Sequence, residues 1–456
     1  MHLPPPDSSA KTPRYLAIAQ ELAQAIETGQ LAPGEKLPPH RVLARQLAVT
    51  TGTVSRAYAA LERQGLASAR VGDGTFVRNR DTSAEDAATT AAASTIDLAH
   101  NIAIPTDEAG ALQRAMATLA QAPEQLARML KYQPEAGATA HRVAGARWLT
   151  CFGTAGLAER VMVTHGAQHA LAGVLRTIAR PGDTLLTEPL SYPGMLALAR
   201  SLRLQVVGVE TDAQGILPDA LDRAAQTFQT KLLFCAPTLH NPTTATMDVA
   251  RREALAAVIR RRRLLLMEDV VHAAALSGPP PALSTMVPEQ SFLLSSFSKV
   301  MAPGLRVGYL EAAAPWLDKV ASSIRTDCWM VAPLMPEIAT RWLDSGEAEH
   351  LIALQRQQVA ERLALARRAF SGVPVRWADD FPHVWIPLPP PARAELLAAE
   401  LRRSGVLVRT MAHFAVGRSP VPEAVRISLN AAPSREQLAS GLQTVAEALR
   451  KAAAKR

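Results

Sequence analysis

A chain of 456 residues, 48% hydrophobic and 20% charged, has material for about three domain-sized cores, which excludes a disordered polymer. Its 49 Lys and Arg against 41 Asp and Glu give a net charge of +8, and no stretch approaches the ~20 consecutive apolar residues of a membrane helix. The three cysteines, Cys151, Cys235 and Cys328, are too widely spaced for a disulfide framework or a zinc ribbon. With prolines and polar groups at the N-terminus where a signal peptide would need an apolar run, a reducing cytoplasmic compartment is expected and a membrane partner is not.

The basic excess is uneven. Residues 1–80 hold ten Lys and Arg against six Asp and Glu, a +4 density that suits a polyanion partner. Tyr15, Ile18, Leu22 and Ile26 recur at helical spacing between Pro13 and Gly29, where glycine provides a C-terminal αL residue. Pro38 and Pro39 open a second helix that turns Leu43 and Leu47 inward. A third, capped by Thr50 or Thr51, buries Val54, Tyr58 and Leu61 and stops at Gly65. Leu66 to Val77 then reads as two short strands around Gly72-Asp73-Gly74, and three helices with a hairpin make a winged helix-turn-helix. Thr53, Ser55 and Arg56 lie off the buried stripe of the third helix, as major-groove reading requires, and Arg41 is placed to clamp a phosphate.

Residues 80–95, RDTSAEDAATTAAAST, carry no apolar periodicity and read as a flexible linker. Beyond it, strand-like runs at Val161 to Val163, Thr184 to Thr187, Gln205 to Val209, Lys231 to Cys235, Leu264 to Met267 and Phe292 to Ser295 alternate with helical stretches. That alternation predicts an α/β fold on a mostly parallel sheet. The Arg260 to Arg263 tract, with Arg251 and Arg252 before it, is read as the solvated end of a helix rather than a second DNA-binding patch.

The segment SSFSKVMAPGLRVGY follows a strand and places Lys299 among small polar residues, where an amine stays reactive toward an aldehyde. Ser296, Ser298 and Arg306 supply donors for a phosphate, and aldehyde with phosphate together suggest pyridoxal 5'-phosphate. Gly166, Ala167 and Gln168 open a helix after a strand and offer backbone N–H groups to the same phosphate. Asp269 at the end of LLLMED suits a pyridinium N–H, Asn241 a ring phenolate, Tyr192 a stacked ring, and Arg426 in AVRISLN a substrate carboxylate. His165 and His169 are spaced for a metal, with His240 and His272 on other strand ends, but no zinc motif is complete and no metal is expected.

Two resemblances follow from these residues. Pro13 to Val77 looks like the GntR family winged-helix domain over nearly its whole length; where that family usually has Arg this chain has Thr51, which shifts weight onto Arg56. Asp97 to about Leu449 resembles the fold-type I aminotransferases in each motif that holds their cofactor, so the whole chain looks like a MocR-type regulator. The resemblance implies a head over 1–79, a linker over 80–95, and an aminotransferase-like domain over 96–456 whose smaller subdomain starts at about 345. It further implies Lys299 as the imine-forming lysine, Asp269 on the pyridine nitrogen, Asn241 on the phenolate and Tyr192 over the ring. Gly166, Ala167, Gln168, Ser296, Ser298 and Arg306 would hold the phosphate, Tyr132 would reach in from a partner subunit of a homodimer, and Arg426 would take a carboxylate. DNA contacts would come from Arg41, Thr51, Thr53, Ser55, Arg56 and Gly72 of the wing.

Two departures stand out. His272 occupies the position three after the aspartate where the family usually has Tyr, and Phe381-Pro382 replaces small glycines near the substrate mouth. The function so implied is a regulator that binds a double-stranded operator and senses an amino acid or amine through an imine with its cofactor. The alternatives are a working pyridoxal-phosphate aminotransferase carrying a winged helix and a cofactor-free domain that only pairs the heads.

Overall fold

The computed structural model describes residues 13–28, 30–31, 35–64, 66–70, 74–77, 95–417 and 419–454. Gly72, Gly29, Gly65 and residues 80–94 of the linker lie outside them. In the N-terminal unit, α1 (Arg14–Glu27), α2 (His40–Gln46) and α3 (Thr51–Arg63) are followed by an antiparallel pair, β1 (Ala67–Arg70) and β2 (Gly74–Val77). Its core gathers Ile18 and Leu22 of α1, Leu43 of α2, and Val54, Tyr58 and Leu61 of α3, with Leu66 and Val77 from the hairpin region. Tyr58 is buried because its hydroxyl donates to Pro38 O at 2.7 Å, which satisfies its one polar atom. Thr50 caps α3, accepting from Thr53 N.

The larger unit begins with β3 (Ile96–Asp97) and carries a seven-stranded sheet. Taken along the chain its strands are β4 (Val161–Thr164), β5 (Thr184–Thr187), β6 (Gln205–Gly208), β7 (Leu232–Cys235), β8 (Leu265–Asp269), β9 (Ser291–Ser296) and β10 (Gly308–Ala312); across the sheet they run β4-β10-β9-β8-β7-β5-β6. All neighbours are parallel except β10, which is antiparallel to both β9 and β4. Strands β4, β7 and β9 are buried throughout, as helices on both faces require, while β6 at the sheet edge is partly exposed.

The basic tract closes a helix, Val249–Arg262, and its end does face outward, with Arg261 and Arg262 both on Asp222. Arg252 does not: it is fully buried, bonded to Thr238 Oγ1 and to the carbonyls of Met247 and Pro237, with Glu268 at 3.7 Å. A charge at that position is accommodated inside because Nε and Nη2 meet acceptors and Nη1, without a hydrogen bond, faces the Glu268 carboxylate.

A smaller antiparallel sheet follows, with β11 (Arg376–Trp377), β12 (His383–Pro387), β14 (Arg409–Thr410) and β15 (Ala424–Ser428) in the order β11-β12-β15-β14. Separately, β13 (Val406–Leu407) pairs in parallel with β3. Val384, Ile386, Val425 and Ile427 pack under the long helices Glu347–Ala369 and Arg435–Ala454, so the first residues past the linker belong to this second core. Among the described residues no helix is long and apolar enough to cross a membrane.

Candidate functional site

The parallel strands all end at one edge, and the singled-out residues stand there: Gly166 after β4, Asn241 beyond β7, Asp269 closing β8 and Lys299 after β9. This is where an open parallel sheet leaves a crevice for ligands. Antiparallel β10 starts at the same edge, which delivers Arg306 to the other four. Gly308 pairs with both Thr164 and Ser296, and a Cβ on it would lie 2.7 Å from Gly166 Cα and from Ser295 O, so only glycine allows the three segments to close up.

Lys299 Nζ donates to Asn101 O at 2.6 Å. Burial, helped by the charges of Arg426 and Arg306, pushes its ammonium down to about 8. Asp269 is half-buried with Val271 N as donor at 2.9 Å, and loss of solvent around its carboxyl raises it to about 6. On the phosphate side, Ser296 Oγ and Ser298 Oγ are 2.9 Å apart, and Arg306 donates to Ser298 Oγ and to His165 O, both at 3.2 Å. Gly166 precedes the helix Ala167–Ile178 with φ at 79°, and a Cβ there would meet Arg306 Nη2 at 3.0 Å. The first-turn N–H groups of that helix therefore open onto the guanidinium and both hydroxyls, a ready anion cradle. Gln168 turns its amide to Gly194 O and leaves its carbonyl oxygen buried without a partner.

Arg426 is 3% exposed. It donates to Asn241 Oδ1 at 3.1 Å and to Ala99 O, and lies over the Phe414 ring. Burial first and Arg409 second lower its guanidinium to about 9. Tyr192 is partly exposed beside Asp269 and Arg306; burial first, then the Asp269 charge, raises its phenol. His272 Nε2 is 2.8 Å from Asn101 Nδ2, and burial together with Lys299 and Arg426 lowers the imidazole to about 3. It is therefore a neutral ring that accepts at Nε2. Tyr132 is 81% exposed, with its ring 5.9 Å from that of Trp329, and is not among the residues that line the cavity beside Lys299. His165 N donates to His169 Nδ1, and His169 is 3.5 Å from Asp327.

Several residues at the site carry no motif. Asp97 caps the turn after β3 by accepting from Ala99 N and His100 N, and its other oxygen holds His100, whose second nitrogen meets Arg409 at 2.9 Å. Gln355 holds Ile104 through both its N–H and its carbonyl. Residues 97–104 thus form a strap whose carbonyls reach Arg426 and Lys299. Beside the lysine a small cavity of about 20 Å³ is lined by Asn101, His272, Gln355, Asp380, Phe381 and Asn430, among others. Ser428 and Asn430 were findable by counting every second residue from Arg426 in AVRISLN.

In the N-terminal unit Arg41, Thr51, Ser55 and Arg56 are exposed. Arg56 lies over the Tyr15 ring at 5.6 Å, and the Ser55 hydroxyl meets His40 Nδ1 at 2.9 Å. Thr53 departs from the outward reading: it is half-buried, and its hydroxyl is 2.9 Å from that of Thr50, so the helix cap engages it.

Residues 94–445 match the family of class I and II aminotransferases, and residues 14–77 match the bacterial regulatory proteins of the gntR family. A Bacillus subtilis helix-turn-helix-type transcriptional regulator, YdeF, is 30% identical over 454 residues, covering 96% of this chain and 95% of its own. The Rhodobacter capsulatus transcriptional regulator TauR is 25% identical over 90% of this chain and 94% of its own. Among solved structures, the Pyrococcus horikoshii kynurenine aminotransferase superposes with a TM-score of 0.73 at 20% identity, over 82% of this chain and 95% of that one, a likeness of fold.

Proposed function

The chain belongs to the MocR-type regulators, which join a gntR-type helix-turn-helix head to an aminotransferase class I and II body, and from that premise we propose that it binds operator DNA as a homodimer and answers to an amino acid or amine taken up beside Lys299. Pyridoxal 5'-phosphate is the cofactor of such a body and supplies an aldehyde that condenses with amines and a ring that draws electrons. The residues present fit it. Lys299 is held near pH 8, so about a tenth is neutral and nucleophilic at pH 7. The Gly166 cradle with Arg306, Ser296 and Ser298 suits a phosphate, and half-buried Asp269, with no cation bonded to it, suits a ring N–H. Asn241 Oδ1 is engaged by Arg426, which leaves its amide hydrogens for a ring oxygen. Tyr132, turned to solvent on its own chain, is assigned to the partner's site.

The observation that carries the ligand class is the pairing of Lys299 and Arg426 around residues 99–101: one handles an amine, the other a carboxylate. Regulation is favoured over turnover by the exposed Thr51, Ser55 and Arg56 face of α3 and by neutral His272, committed to Asn101, in the place of a phenol. The test is a titration of amino acids and amines, read by the cofactor absorbance, with and without operator DNA. Linkage requires DNA to change the ligand's affinity by the same factor as the ligand changes that for DNA. Equal affinities in both arms, for every compound that changes the spectrum, would refute the sensing role and leave the aminotransferase.

A further inference from the structure

Along β15, Val425 and Ile427 enter the small core, so Arg426 and Ser428 share the opposite side of the strand; in the turn after it Leu429 joins the core and Asn430 lines the cavity. Antiparallel pairing sets His383 directly across from Ser428. On this side five polar atoms are buried without a hydrogen-bond partner: Arg426 Nε, Ser428 Oγ, Asn430 Oδ1 and both ring nitrogens of His383. His383 and Ser428 are 0% exposed and Asn430 4%. Asn430 lines the cavity beside Lys299. His383 lies against Phe381 and His272, two other residues of that lining, with ring centres 4.5 and 5.8 Å away. Buried polar atoms are as a rule paired, so a row of unpaired ones that reaches the cavity lining at Asn430 describes the complement of something that binds there.

We propose that the row His383, Ser428 and Asn430 is the side-chain subsite of the amino-acid effector, and that it takes an uncharged group that both donates and accepts hydrogen bonds, a hydroxyl or a carboxamide. This rests on the reading of Lys299 and Arg426 as the amine and carboxylate sites. Three other side-chain classes fit worse. An apolar side chain leaves all the row's atoms unpaired. A cationic one meets the charges of Arg426 and Lys299. An anionic one finds no free cation once Arg426 holds the α-carboxylate: burial, with Arg426, His272 and Lys299 close by, keeps His383 neutral, and the unpartnered atom of Asn430 is an oxygen, which repels an anion. A hydroxyl or amide gives a proton to the Asn430 oxygen or one imidazole nitrogen and accepts from Ser428 or the other.

Isosteric pairs test this on the full-length protein loaded with pyridoxal 5'-phosphate, read by the cofactor band. Threonine is compared with valine, and asparagine with leucine and aspartate. Threonine and asparagine are expected to bind at least about tenfold more tightly than their partners, because the site rejects analogues that leave its polar groups unpaired. Ser428→Ala should bring the threonine-to-valine ratio to within about threefold, and His383→Phe should do the same for asparagine and leucine. Equal affinities within each wild-type pair would mean that the row holds water only and would overturn the subsite, as would an unchanged ratio in a folded Ser428→Ala protein. The wild-type comparison decides the matter if the variants do not fold. If alanine and valine shift the band but the ratios are near one, the subsite alone fails. If no amino acid shifts it while borohydride still fixes the cofactor on Lys299, the sensing reading fails and the subsite falls with it.

Discussion

Lys299→Met in the cofactor-free protein turns the buried amine into a stability measurement. The ammonium falls from 10.5 to about 8 in the folded chain, a gap of 2.5 pH units. At 1.36 kcal/mol per unit that gap opposes folding by about 3 kcal/mol wherever both states would carry the proton. Because the folded pKa lies below the unfolded one, the unfolded chain holds the extra proton between about pH 8 and 10.5. Stability therefore rises with pH across that window, and below it the full penalty is present. Methionine removes the penalty along with the bond to Asn101 O, which is worth about 1.5–3 kcal/mol to a charged donor. The two offset each other near pH 7, but only the penalty titrates. Relative to wild type, the variant should lose about 3 kcal/mol between pH 7 and 11. All six tryptophans lie beyond residue 96, so urea unfolding followed by their fluorescence reports the body alone. Groups not coupled to Lys299 titrate alike in both proteins and cancel. A stability difference that stays flat from pH 7 to 11 would refute the burial argument for Lys299.

Gly166→Ala should weaken pyridoxal 5'-phosphate by about tenfold in an absorbance titration, since φ at 79° strains alanine and its methyl crowds Arg306. Borohydride followed by peptide mass spectrometry should find the reduced cofactor on Lys299 and nowhere in Lys299→Ala; an adduct on another lysine would move the site. Arg56→Ala should weaken operator binding and lower the slope of log affinity against log salt by about one, read by fluorescence anisotropy. Tyr58→Phe, which deletes the bond to Pro38 O, should destabilise the isolated winged helix by about 1 kcal/mol in thermal unfolding.

What could be read from the sequence was what is contiguous. Asp269 ends a strand and Gly166, Lys299 and Asn241 follow one within a few residues, and a short apolar run with its exit residues is a local pattern. The winged helix was legible for the same reason, since the stripe Val54, Tyr58 and Leu61 lies within one helix. Long-range pairing was not. Nothing near Ile96 announces that it will lie beside Val406, or that Ala99 and Asn101 will reach Arg426 and Lys299. The antiparallel direction of β10 was likewise invisible in GLRVGY, although it is what brings Arg306 to the phosphate side. Thr53 and Arg252 went astray together: helical position alone does not say whether a cap engages a hydroxyl or whether a buried glutamate waits for an arginine.

The strap of residues 97–104 has the character of a latch with two catches. Ala99 O is held by Arg426 and Asn101 O by Lys299, only two residues apart, while Asp97 and Gln355 fasten the ends. On the reading proposed above, a carboxylate would compete for the first catch and an amine for the second. A plain amine would then free one and a plain carboxylate the other, whereas an amino acid would free both at once. The strap, which opens the body after residue 94, would so act as a coincidence detector for two functional groups on one molecule.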